Sequence, residues 1–427
     1  MKRIPALTQC VDDSQFEPGL MTEIMRRAAS RYHLLSVLVE LTRKCNLRCI
    51  HCYASRSPGR PELGDSALTA LLRELRALGV LHLTISGGEP TLRPAFRNVV
   101  ESAAAAQFSV SILSNGTALD KARCRWLVAC PQLAKVAVSL YGATSRTHDA
   151  ITRARGSFRR TVAGVERLAG LGKEVLLKFL IMRPNLREAE GMFDLAHRLR
   201  LPLQIDTVMT ARDNGDRAPV RLRVGDEDQR RIFRLVRAEQ LSRGEVGSGI
   251  RNPESGTQQP GSAILRPETR VQNPEAGNRK PHSAIQNQNS KIQNRKPASR
   301  NLKSEIVSDG GPLCSAGVSY CSINAYGDCY ACPQTPVSQG NVLERPLADI
   351  WRHGRLLNRL RRLRFSQLTG CRSCRITAYC RLCPGLALME EGDIRARSET
   401  CCRQAELWRE VCEEPSAGRP WAEGSRQ

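Results

Sequence analysis

Between positions 33 and 209 the chain alternates two kinds of apolar pattern. Nearly continuous Val/Ile/Leu runs fall at 33–41 (HLLSVLVEL), 80–86 (VLHLTIS), 108–114 (FSVSILS), 135–141 (KVAVSLY), 174–182 (EVLLKFLIM) and 201–209 (LPLQIDTVM). Runs of that length, rich in β-branched residues, read as strands buried on both faces. Between them, 65–78, 94–106, 157–171 and 186–200 space their apolar residues by three and four, the signature of amphipathic helices. Such a strand–helix repeat predicts an α/β fold built on a parallel sheet, open or curved into a partial barrel. Chemistry in such folds gathers in the loops that leave the carboxyl ends of the strands.

The pattern then breaks. Residues 243–305 hold no aromatic side chain and are rich in Asn, Gln, Pro, Ser and Arg. They also repeat: RNPESGTQQPGSAILRPETRV from Arg251 is followed by QNPEAGNRKPHSAIQNQNSKI from Gln272, and a decayed third copy starts at Gln293. Each copy carries too few aliphatics to build a stacked core, so the segment reads as a disordered insertion, with a basic tether for a partner as the alternative. The expected organisation is an amino-terminal extension (1–33), a strand–helix domain (34–242), the insertion (243–305), a cysteine-rich domain (306–412) and a tail (413–427).

Composition narrows the class. The chain has 427 residues, enough for two or three domains, and a formal charge of +23. The excess is mostly arginine spread over many segments, and aromatics make up 4%, so stacking platforms for nucleic acid are scarce. The charge reads as solvated helix faces, or as a surface that attracts an acidic redox partner or substrate. No apolar run is long enough to span a bilayer, and the first residues are too polar for a signal peptide; the expectation is a cytoplasmic protein with no membrane association. Seventeen cysteines in tight groups then read as metal or cluster ligation and not as disulfides. Only Cys10, Cys124, Cys130 and Cys412 stand apart.

The tightest group is KCNLRCIHCYA, 44–54, which follows the first strand and carries Cys45, Cys49 and Cys52 with no fourth thiol. A structural zinc site closes four ligands around the ion, whereas three thiolates suit a cubane cluster with one iron left open. The Cys-x3-Cys-x2-Cys spacing, with Tyr53 next, resembles the radical SAM superfamily. There the open iron chelates S-adenosylmethionine (SAM), and an electron from the cluster releases a 5′-deoxyadenosyl radical that abstracts hydrogen from substrate. The resemblance implies a SAM site at Gly87-Gly88-Glu89-Pro90 after the second strand, at Ser114-Asn115 after the third and at Ser139 after the fourth. It also implies a partial (β/α)6 TIM-like barrel. In HDAITRARGSF (148–158), which also resembles the family, Thr152 stands where many members have arginine, and whether Arg153 or Arg155 replaces that cation stays open.

The later cysteines resemble the SPASM extension of these enzymes: Cys314, then Gly327 and Cys332, then Cys371-x2-Cys374-x5-Cys380-x2-Cys383 and Cys401-Cys402. By that resemblance Cys314, Cys321, Cys332 and Cys383 hold one auxiliary [4Fe-4S] cluster, and Cys371, Cys374, Cys380 and Cys401 or Cys402 another. The family usually has three residues between the last pair, not the two between Cys380 and Cys383, and Cys329 is an additional thiol nearby. Taken alone, the two close pairs at 371–383 also fit one zinc ion. The resemblance implies a peptide or cofactor maturase of the coenzyme PQQ type, acting on a peptide or protein side chain. Its expected partners are reduced flavodoxin or ferredoxin as electron donor and any leader-binding protein as a separate chain. Haem precursors are the alternative substrate, and a non-catalytic iron-sulfur or zinc electron-transfer protein is the alternative class.

Overall fold

The computed structural model describes residues 20–55, 59–242, 263–265 and 311–414. The first part of the amino-terminal extension, nearly all of the repeat insertion and the end of the tail lie outside the described residues. The six apolar runs form strands β1 (Ser36–Glu40), β2 (His82–Ser86), β3 (Ser109–Ser114), β4 (Leu133–Ser139), β5 (Val175–Leu180) and β6 (Leu203–Asp206). They pair in parallel in chain order, from Ser36 opposite His82 in β1–β2 to Leu180 opposite Asp206 in β5–β6. All five residues of β1 are buried, as a strand covered on both faces requires. This is the open partial-barrel arrangement expected from the sequence, and it brings the loops after each strand to one rim.

The helices cover the sheet through the stripes read in the sequence; Asp65–Ala77 buries Leu68, Leu71, Leu72 and Leu75. Among the described residues before 243, four helices lie outside that reading: Leu20–Arg31, Lys121–Val128, Ser145–Thr152 and Asp226–Ser242. Lys121–Val128 buries only Cys124 and Leu127, so it shows almost no stripe; Asp120 starts it by accepting from the Arg123 N–H at 2.8 Å.

Three more strands extend the sheet. β7 (Ala263–Leu265) pairs antiparallel with β6, so three residues of the repeat segment form an edge strand inside the stretch expected to be disordered. β8 (Tyr320–Ile323) lies parallel to β1, and β9 (Cys329–Tyr330) turns back antiparallel on β8. The order is therefore β7-β6-β5-β4-β3-β2-β1-β8-β9. The cysteine-rich region thus shares both the sheet and one continuous apolar core with the strand–helix region. Among the described residues no helix is long and apolar enough to cross a membrane.

Candidate active site

The cysteine loop leaves β1 and is fixed on both sides by backbone contacts. On one side the Gly88 N–H donates to Thr42 O at 2.7 Å and the Glu89 N–H to Lys44 O at 2.9 Å. The chains run so close that a Cβ at Gly87, whose φ is +145°, would stand 2.5 Å from Thr42 O, and one at Gly88 2.4 Å from Lys44 O. Only glycine fits at either position. On the other side the N–H groups of Arg48 and Ile50 donate to Thr152 O and Ile151 O at 3.0 and 3.1 Å. A third anchor comes from the loop after β3: Asn115 Nδ2 lies 3.8 Å from Cys45 Sγ and donates to Asn46 Oδ1 at 2.9 Å, while Asn46 Nδ2 donates to Thr117 Oγ1 at 2.8 Å.

The three thiols of the loop feel one another electrostatically, and all three feel Tyr141. Burial, reinforced by Cys52 and Cys45, pushes the Cys49 thiol up to about 12. Such a thiol ionises readily only beside a cation or metal centre. The Tyr141 ring packs at 4.3 Å on His51, and Ser139 hydrogen-bonds the Tyr141 hydroxyl.

Glu89 is fully buried, and its carboxylate serves the chain itself. It accepts from the Thr91 hydroxyl and N–H at 2.5 and 3.2 Å, from the Ser114 hydroxyl at 2.8 Å and from the Asn115 N–H at 2.7 Å. Glu89 and Ser114 therefore tie the loops after β2 and β3 together, and Pro90 opens the short turn Pro90–Leu92 between them. Burial raises the Glu89 carboxyl above the ordinary range, and these donors pull the other way.

Inside the rim lies a charged network of which the sequence reading singled out only Tyr53. The Tyr53 hydroxyl donates to Glu40 Oε1 at 3.0 Å, Glu40 Oε2 pairs with Arg43 Nε at 3.0 Å, and Arg43 Nη1 reaches Asp213 Oδ2 at 2.7 Å. Arg212 Nε donates to the Cys52 carbonyl at 3.2 Å. Glu40, Arg43, Tyr53, Arg212 and Asp213 line a cavity shared with Ser322, Asn324 and Tyr330 from the cysteine-rich region. Burial raises the Glu40 carboxyl, against the pull of Arg43. The one advance signal was a glutamate ending an otherwise apolar strand. As for the replacement cation, Thr152 bonds Ser157 at 2.7 Å, Arg153 caps its helix with φ +52°, and Arg155 faces a different cavity.

The later cysteines fall into two groups. Cys332 is pushed up to about 12 by burial and Cys314, and Cys383 is raised by burial and then by Cys401, Cys314 and Cys332. Beside them Gln334 Oε1 lies 3.7 Å from Cys383 Sγ, while Gln334 Nε2 and the hydroxyl of Tyr320 are buried with no hydrogen-bond partner. Buried donors left open beside clustered thiols fit an acceptor such as cluster sulfide. The second group joins Cys371, Cys374, Cys380 and Cys402, with Arg397 Nε 2.9 Å from Cys402 Sγ; Cys401 stands between the groups and is felt by both Cys380 and Cys383. Cys371, Cys380, Cys383, Cys401 and Cys402 line one cavity.

Cys321 joins neither group. Tyr320 faces Cys332 and the Glu40–Tyr53 pair, so the next residue of β8 points to the opposite face of the sheet. There Cys321, in register with Val37, hydrogen-bonds the thiol of Cys329. Among the described residues no three His, Cys, Asp or Glu side chains converge on a point that one metal ion fills.

A three-thiol loop at the rim of a parallel partial barrel, followed by thiol groups built into the same sheet, defines a radical SAM enzyme with a SPASM domain. The radical SAM superfamily profile matches residues 39–196 and that of the SPASM iron-sulfur cluster-binding domain residues 314–375. The chain therefore contains a radical SAM domain and a SPASM domain, which imply a SAM-binding [4Fe-4S] cluster, SAM and auxiliary iron-sulfur clusters. It is 25% identical over 366 residues to the AdoMet-dependent heme synthase of Methanosarcina barkeri, covering 85% of this chain and 94% of that one. It is 27% identical over 353 residues to the mycofactocin maturase MftC of Mycolicibacterium smegmatis, covering 80% and 76%. The fold is shared with SuiB of Streptococcus suis bound to its precursor peptide SuiA, at a TM-score of 0.60 and 16% identity over 92% of this chain and 83% of that one.

Proposed function

We propose that the chain cleaves SAM reductively and removes a hydrogen atom from a peptide side chain. The observation that carries this reading is the three-thiol loop, locked by backbone bonds to the glycine pair on one side and to the helix Ser145–Thr152 on the other. Cys45, Cys49 and Cys52 would hold the catalytic cluster. With SAM bound there, the site supplies a 5′-deoxyadenosyl radical. The chain's own groups then do the positioning: Gly87 and Gly88 bring their backbone against the loop, Glu89 fixes the Asn115 loop, and Tyr53, Glu40 and Arg43 form a buried wall facing the substrate cavity. A peptide substrate is supported by the likeness to mycofactocin maturase and to the peptide-bound SuiB fold. A second reading, action on a haem precursor, is supported by the match along nearly the full length of the heme synthase.

Anaerobic reconstitution followed by SAM and dithionite tests the shared chemistry: 5′-deoxyadenosine is the expected product, and its absence from a fully loaded protein would sink the enzyme reading. Adding a candidate precursor peptide or an iron-coproporphyrin then separates the two substrates by which one consumes SAM stoichiometrically.

For the auxiliary sites we infer Cys371, Cys374, Cys380 and Cys402 as one ligand set, and Cys314, Cys332, Cys383 and Cys401 as the other. Cys321→Ala is then expected to leave iron at about twelve atoms per chain, whereas Cys402→Ala lowers it by about four. Iron analysis with Mössbauer spectroscopy reads the difference, and loss of a cluster from the Cys321 variant would return that residue to the ligand set.

A further inference from the structure

A second cavity, of about 800 Å³, opens between the loop after β3 and the start of the helix Ser157–Gly170. Lys121, Arg123, Arg155, Arg159, Arg160 and Arg167 line it. Its one acid, Asp120, already accepts from the Arg123 N–H at 2.8 Å. Arg123 and Arg167 donate to the carbonyls of Ala118 and Leu119, and Arg160 reaches the Arg155 carbonyl at 3.5 Å. These guanidinium groups thus bond carbonyl oxygens, with no carboxylate among those partners. Arg155, Arg159 and Arg160 are exposed. So much like charge around one concavity concentrates anions there and speeds their arrival.

The place of this cavity says which anion it suits. Both of its walls hold the cysteine loop: Thr117 lines it and bonds Asn46, the neighbour of Cys45, while Arg155 and Gly156 line it just beyond Thr152, which bonds Arg48. The substrate cavity meets the loop at its other end, at Tyr53, next to Cys52. The loop therefore stands between two cavities, one polar and mixed in charge on the barrel side, the other basic on the outer side.

We propose that the basic cavity is the docking surface for an acidic protein that carries one electron at low potential, and that the electron enters the Cys45–Cys49–Cys52 cluster through this wall. The proposal rests on the radical SAM reading of the loop. In the step the donor is oxidised by one electron and the cluster reduced by one; no group or proton is transferred. An electron donor needs closeness to the cluster and no access to substrate, which is what this outer face provides. Charge complementarity of this kind sets the association rate, and salt screens it.

The test uses the reconstituted holoenzyme and the double charge reversal Arg159→Glu/Arg160→Glu, both at exposed positions. Binding of an acidic flavodoxin, measured by titration calorimetry at low and high salt, is expected to weaken roughly tenfold or more in the variant and to weaken with salt in the native protein. Stopped-flow oxidation of the flavodoxin hydroquinone is expected to slow in parallel. Cleavage of SAM driven by dithionite, which needs no docking, is expected to stay unchanged. Equal flavodoxin binding and equal hydroquinone oxidation in the two proteins would overturn the proposal. So would binding of an acidic peptide or an RNA oligomer at this cavity in preference to flavodoxin. If dithionite gives no 5′-deoxyadenosine in either protein, the enzyme reading fails, and flavodoxin binding still decides the docking surface by itself.

Discussion

Replacing Cys49 with alanine is expected to abolish 5′-deoxyadenosine formation, while about eight of about twelve iron atoms per chain remain bound. Cys49 is the middle thiol of the loop, held by burial at a high pKa in the free chain. Its ionised form depends on the cluster, and the cluster in turn depends on it, since two thiolates on one side of a cubane leave it open to loss of iron. Alanine removes a single sulfur, and the backbone bonds from Arg48, Ile50 and Cys52 that shape the loop remain available. The auxiliary thiols lie on other turns and keep their own iron. Product analysis after incubation with SAM and dithionite, together with iron analysis of the same sample, checks both halves. SAM cleavage that survived the change would mean that the reacting iron is held elsewhere.

The second large effect is expected from Gly88→Ala. An added Cβ meets Lys44 O at 2.4 Å and Arg43 O at 2.7 Å, both backbone atoms that cannot rotate away. Relief requires parting the loop after β2 from the cysteine loop and giving up the bonds from Gly88 to Thr42 and from Glu89 to Lys44. Overpacking plus two lost buried hydrogen bonds costs about 3 kcal/mol or more. Thermal unfolding is expected to drop by several degrees and the catalytic iron to fall, with the auxiliary iron less affected. A variant with native melting temperature and full SAM cleavage would show that the two loops are not mutually locked.

The strands were legible because each is buried on both faces, which forces an apolar run that no helix or loop produces. Four helices with broad stripes were legible for the same reason; Lys121–Val128, with two buried positions, was not, and Asp226–Ser242 went unread although it buries Ile232, Phe233, Leu235 and Val236. The cysteine loop could be read because its chemistry is set by local spacing. The network around Glu40 could not: its partner Asp213 is 173 residues away along the chain, and only the closing of the barrel brings the two to one rim. Cys321 shows a different limit. The resemblance implies it as a cluster ligand; β8 has only four residues, too few to show from sequence which face Cys321 takes, and in the structure its thiol bonds Cys329. Glu89 stood in the right motif, yet its hydrogen bonds run to the protein and not outward, a distinction that sequence does not carry.

The pairing of β8 with β1 also bears on how the chain survives cutting. β1 has neighbours on both sides, β2 and β8, and its Val37 and Val39 are wholly buried. A chain ended before Gly311 would strip one side of β1 and leave a flat, apolar strand with open backbone donors, the template on which other chains add. Such a fragment is expected to aggregate even though its six parallel strands are all present.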